Sequence, residues 1–133
     1  MQKTLNILMG LALIGFLVLP NAMLAQDAKP FVGTWEGAID VAGQQIDIIL
    51  EFALEGDGLA GNIDVPAQGA EDIPLAEFKI EGKKITFMID HPGVPGEPTF
   101  NGELDAEGTT LSGTFFQSGA EGTFEATKKS FRL

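Results

Sequence analysis

From Phe31 onward, apolar and polar residues alternate with a period of two, in short runs separated by glycine-containing turns. That pattern predicts β-strands with one buried and one solvated face. The first run, 33–41, puts Trp35, Gly37, Ile39 and Val41 on one face and Thr34, Glu36 and Asp40 on the other. After a turn at Ala42-Gly43, the run 45–54 directs Ile46, Ile48, Leu50, Phe52 and Leu54 inward, with Gln45, Asp47 and Glu51 outward. "EGDG" turns the chain into a third strand whose inner face carries Leu59, Gly61, Ile63 and Val65.

Residues 66–74, "PAQGAEDIP", interrupt the pattern and are expected to form a loop. The strand over 75–80 changes phase between Leu75 and Phe78, which predicts a bulge near Glu77. "EGKK" leads into Ile85, Phe87 and Ile89, and the proline-rich segment 91–98 reads as a second loop. Three more strands follow, with inner faces at Phe100-Gly102-Leu104, Leu111-Gly113-Phe115 and Gly122-Phe124-Ala126. No stretch carries a useful helical period.

Eight short strands joined by tight turns can close on themselves and leave no exposed edge. Gly37, Gly61, Gly102, Gly113 and Gly122 all fall on inward faces. Glycine there marks a sharp bend or a close backbone approach, as a tightly curled sheet requires. The expected fold is therefore all-β, an up-and-down antiparallel β-barrel of about eight strands, with a β-sandwich as the alternative. A membrane-spanning barrel would carry apolar residues outside. Here Glu36, Asp40, Asp47, Glu51, Glu103 and Glu125 share the outer face, so the mature domain is not expected to insert into a membrane.

The N-terminus changes the compartment rather than the fold. Residues 1–25 combine Lys3, an apolar run over 7–19, Pro20 and the small residue Ala25, the anatomy of a secretory signal peptide. An uncleaved anchor helix is the alternative, because the apolar run approaches spanning length. The expectation is an exported chain, periplasmic or extracellular, with one domain over 26–133. The absence of cysteine means that this domain must rest on its own core, without disulfides or a lipidated cysteine. Without Lys3, seven Lys and Arg face nineteen Asp and Glu, a formal charge of −12. So acidic a surface repels phosphate backbones and argues against nucleic-acid partners.

The stretch "FVGTW" at the head of the first strand resembles the G-x-W motif of lipocalins and related calycin-type barrels, and also the start of intracellular fatty-acid-binding proteins. The resemblance implies that Trp35 stoppers one end of a small barrel. Fatty-acid-binding proteins carry a helical lid after strand one, for which Ala42-Gly43 leaves no room; the second lipocalin motif, T-D-Y, is absent. Arg132 stands where the resemblance would put an arginine that packs on the tryptophan. More broadly, "GTWEGAI", "IEGKKITFMI", "LSGTFFQSG" and "GTFEATKK" resemble the lipocalin-like β-domain ahead of the catalytic domain in some secreted α/β-hydrolases. Its implied role is accessory.

Catalytic chemistry finds little support in the chain. His91 is the single histidine; Asp90 beside it would point to the opposite side of a strand end, and neither Ser112 nor Ser118 lies in a G-x-S-x-G elbow. The acidic turns "EGDG" and "DAEG" do not match a calcium loop, and one histidine makes a poor zinc site. No catalytic residue, metal or cofactor is therefore expected. Gln117 continues the inward phase of Leu111, Gly113 and Phe115, where its amide needs hydrogen-bond partners. Gln117, Phe115 and the 91–98 loop that begins at His91 are the candidates for a ligand-binding mouth, and Trp35 for the apolar interior of the same barrel. Seven large aromatic residues facing inward predict a filled core with at most a shallow apolar pocket. The reading is an exported accessory or binding module, with a protein or small apolar ligand as partner. The alternative is a small carrier holding an apolar ligand within the barrel. A ligand's head should be neutral or cationic, since the chain offers little to hold a carboxylate.

Overall fold

The computed structural model describes residues 28–129. The leader and the Arg132 readings lie outside the described residues. Eight antiparallel strands follow one another around a closed barrel: β1 (Gly33–Val41), β2 (Gln44–Glu55), β3 (Gly58–Val65), β4 (Ala70–Glu81), β5 (Lys84–Ile89), β6 (Thr99–Leu104), β7 (Thr110–Gln117) and β8 (Ala120–Lys128). Closure is made by β1 against β8, with Trp35 opposite Lys128 and Val41 opposite Gly122. Every strand thus pairs on both sides, which is how the fold disposes of its edges.

Closure depends on the inward glycines. A Cβ on Gly37 would collide with the backbone carbonyl of Glu125 on β8, and one on Gly113 with that of Asn101 on β6. At these points neighbouring strands pass too close for any side chain, because a barrel of eight strands must coil its sheet tightly.

The two loop expectations meet different outcomes. Residues 91–98 form the β5–β6 loop, but 66–74 is only partly irregular: a 3₁₀ turn covers Pro66–Gln68, and β4 already begins at Ala70. The early strand is hard to read because its pairing is poor. Only Asn62↔Pro74, Ile63↔Ile73 and Val65↔Ala70 pair it with β3, and the register shifts between the last two. Pro74 lacks a donor for the ladder, and Asp72 has a φ of 57°. The expected bulge is present, with Glu77 at a φ of 57° and a register shift between Ala76 and Lys79. Leu54 is a correction. It shares the phase of Phe52, but it lies where β2 runs past the start of β1, paired with β3 alone, and is 44% exposed.

Phenylalanine rings fill the middle of the barrel. Phe87 stacks on Phe100 with centroids 4.8 Å apart, Phe52 meets Phe87 edge-on at 5.3 Å, and Phe100 touches Phe115 and Phe124 at 5.0 and 5.1 Å. Offset-stacked and edge-on pairs of this kind are the favourable geometries for aromatic rings.

The strands divide the molecule into two ends. At one lie the start of β1, the β2–β3, β4–β5 and β6–β7 turns and the end of β8; this is the closed end. A single 3₁₀ turn, Lys29–Phe31, carries Pro30 in its middle and lays Phe31 over this end. Trp35 is fully buried beneath, and its indole N–H donates to the Phe31 carbonyl at 2.9 Å. The Lys128 ammonium sits 5.3 Å from the centre of the indole and donates to the Pro30 carbonyl at 3.0 Å. Its methylene stem crosses Gly33, where a Cβ would stand 3.3 Å from Lys128 Cε and where φ is +134°. Glycine two residues before the tryptophan is therefore favoured by the backbone, with the flexible lysine stem lying close above it.

Candidate functional site

The opposite end, the mouth, is framed by the β1–β2, β3–β4, β5–β6 and β7–β8 connections. Inward residues near the strand ends there are aliphatic. Ile39, Ile46, Ile63 and Val65 form one wall of a pocket of about 320 Å³, and Ile73, Ile89 and Phe115 form another. The volume is at the low end of the ~300–1,000 Å³ range of small-molecule sites. Val94, Pro95 and Pro98 of the β5–β6 loop lean over the opening, and Gln68 and Ala70 border it from the β3–β4 connection. Of the lining residues only Gln68 and Gln117 have polar side chains.

The loop over the mouth is held by two short contacts. Gln117 Nε2 donates to the Pro95 carbonyl at 3.0 Å, tying the end of β7 to the loop. His91 Nδ1 accepts from the Gly93 N–H at 2.9 Å and shapes the loop's first turn. Pro98 is fully buried and Val94 half-buried against the core, so the loop is anchored by apolar contact as well.

The four candidate residues are divided between the two ends. Gln117 and Phe115 both line the pocket. His91 belongs to the same loop but is exposed and is not itself a lining residue; its imidazole accepts from the N–H of Gly93, which does line the pocket. Trp35 is at the closed end, remote in topology from the other three, and packs under Phe31. Sequence reasoning did not single out Gln68, Ala70, Val94 or Pro98. The first two fell in the segment expected to be a loop; Val94 and Pro98 stood in a loop whose apolar residues carry no period to show which way they face.

A larger depression of about 490 Å³ lies on the outer wall between β1, β2 and β8, bordered by Glu36, Asp40, Asp47 and Glu125. It is the trough above Gly37, where the strands come together. Its charged walls belong to the solvated face of the barrel, and it offers little apolar surface for a ligand.

Fold and pocket together define a class: a closed, up-and-down β-barrel with an apolar depression at one mouth. Compared with known proteins, the chain matches no family model, no curated protein and no solved structure.

Proposed function

We propose that the chain is an exported, non-catalytic, lipocalin-like module that binds a small apolar ligand at its mouth. The observation that carries this reading is the aliphatic pocket under the β5–β6 loop. Binding residues sit on loops and strand ends held by a rigid scaffold, and the aromatic middle of this barrel supplies the rigidity. A lining whose only polar side chains are two amides offers hydrogen bonds but neither acid, base nor nucleophile. The Gly33–Trp35–Lys128 arrangement supports the calycin-type reading: a cation rests on the tryptophan, as the G-x-W resemblance implies, although here it comes from β8. An accessory role like that of the β-domains preceding secreted α/β-hydrolase domains is compatible with the same pocket.

The test is titration of an apolar fluorescent probe against the wild type, Gln117→Leu and Ala70→Phe. One-site saturation is expected for the wild type. Gln117→Leu releases Pro95 and should weaken binding about fivefold, the equivalent of one hydrogen bond of ~1 kcal/mol. Ala70→Phe fills the opening and should abolish binding while the fold, read by Trp35 fluorescence, is retained. Absence of saturation in the wild type, or equal binding by Ala70→Phe, contradicts the proposal and leaves protein docking as the role of the module.

A further inference from the structure

The fold gathers the lysines of the described residues in one half of the barrel, whereas carboxylates occupy both. Among the described residues the lysines are Lys29, Lys79, Lys83, Lys84, Lys128 and Lys129. All six lie in the closed half: Lys29 in the turn before β1, Lys79, Lys83 and Lys84 around the β4–β5 turn, and Lys128 and Lys129 at and just beyond the end of β8. None stands at the mouth. There, Asp40, Asp64, Glu71, Asp72, Asp90 and Glu97 are each the immediate chain neighbour of a residue that lines the pocket. Strand alternation turns Asp40 and Asp64 to the outer side of the wall whose inner side is Ile39, Ile63 and Val65. Asp64 is also fixed in place, because its Oδ1 accepts the Asp72 N–H at 2.7 Å.

An apolar depression whose lining segments carry carboxylates beside it, with every lysine of the described residues at the far end, has a definite preference. Low-dielectric walls concentrate the field of the rim at the opening. A ligand whose apolar body fills the pocket must leave its head at this rim. We infer that the mouth pocket selects amphiphiles with a cationic head, such as a short alkyl chain or small ring bearing an ammonium group, and rejects the corresponding carboxylates. This rests on the pocket being a binding site, as proposed above, and adds the charge of the ligand to it.

The apolar seat distinguishes specific capture from the general attraction of an acidic protein for cations. Specific capture requires the apolar seat, whereas general attraction does not.

Isothermal titration calorimetry with three matched probes, octyltrimethylammonium, 1-octanol and octanoate, tests the inference below their micellar concentrations. The ammonium is expected to bind about tenfold more tightly than octanol, octanol more tightly than octanoate, and the spread should shrink with added salt. In Glu71→Gln/Glu97→Gln the advantage of the ammonium over octanol should fall about threefold with octanol itself unaffected. Ala70→Phe should bind none of the three. Octanoate binding as tightly as the ammonium, or an ammonium advantage unchanged in the double variant, overturns the charge selection while leaving the pocket reading intact. Ammonium binding that persists in Ala70→Phe reduces the effect to surface attraction and overturns the inference. Failure of all three probes to saturate overturns the pocket reading itself.

Discussion

At the closed end Trp35 is sealed under Phe31, its indole N–H spent on a backbone carbonyl and a lysine laid across its face. At the mouth the inner residues are aliphatic apart from Phe115, Ile46 is only half-buried, and the covering loop is held by a glutamine and a histidine hydrogen bond and by buried Pro98. The same alternation of inward and outward residues builds both ends. What differs is how completely each end satisfies and covers its interior. A barrel of eight strands has room to be filled by side chains or to hold one small ligand. This one fills its middle and closed end with aromatic rings and leaves the remaining room at the mouth. The difference teaches that a sealed aromatic stopper and an open apolar pocket can occupy opposite ends of one continuous sheet.

The sharpest way to break the comparison is to truncate the stopper. Trp35→Ala should cost ~3–5 kcal/mol, the usual range for deleting a fully buried aromatic side chain. Guanidinium titration would measure it, and a loss below about 1 kcal/mol would place the stabilising core elsewhere. Next in size is Gly37→Ala. Its methyl must displace the backbone of β8 at Glu125 rather than a flexible side chain, so a loss of roughly 3 kcal/mol is expected by the same titration. At the mouth, Ile46→Ala should cost only about 1–2 kcal/mol, because its site is half-buried and opens onto the pocket. If Ile46→Ala proves as damaging as Trp35→Ala, the contrast between the two ends fails.

The closed end is also where acid should act. Asp105 accepts from the backbone N–H of Thr110 at 3.1 Å and of Thr109 at 2.9 Å in the β6–β7 turn. These bonds favour its ionised form, the Thr110 contribution foremost, and hold its carboxyl below the ordinary aspartate value. A carboxyl lowered on folding contributes stability above its unfolded pKa of ~3.9, and that contribution is lost as pH falls through the lower folded value. Thermal melts of wild type and Asp105→Asn should therefore differ at neutral pH, with the wild type more stable. The gap should narrow below about pH 4. A gap independent of pH would assign the turn's stability to shape rather than charge.

The smallest expected effect is a gain. Ala42 and Gly43 form the β1–β2 turn with φ of 53° and 76°, a pair of left-handed conformations that asparagine tolerates better than alanine. Ala42→Asn should stabilise the protein by roughly 0.5–1 kcal/mol, measurable as a raised melting temperature, without altering the pocket.

Much of this architecture is legible in the sequence because a period of two leaves each residue one of two faces. β1 has the boundaries that its pattern indicates, and the phase change around Glu77 marks a real bulge. Legibility fails where local pattern is not what decides. The beginning of β4 carries Asp72 and Pro74, residues unsuited to a ladder, and becomes a strand only because β3 lies beside it, β5 joining from Leu75 onward. Leu54 has the right phase, yet the barrel ends before it. In the candidate site, Gln117 and Phe115 could be placed from phase alone. The inward lean of Val94 and Pro98 could not, because a loop's facing is set by its anchors. The lysine over Trp35 was beyond sequence reasoning for a related reason: the β1–β8 register that delivers Lys128 exists only after closure.

The central claim, that binding belongs to the mouth while the closed end is structural, is tested most directly by ¹H–¹⁵N NMR during titration with 1-octanol. The single indole gives one N–H signal at the closed end, and Gln68, Ala70, Gly93, Val94 and Gln117 report from the mouth. Saturable shifts confined to those mouth residues, with the Trp35 indole signal unmoved, are the expected result. Shifts centred on the indole, or no saturable shift at the mouth, would contradict it.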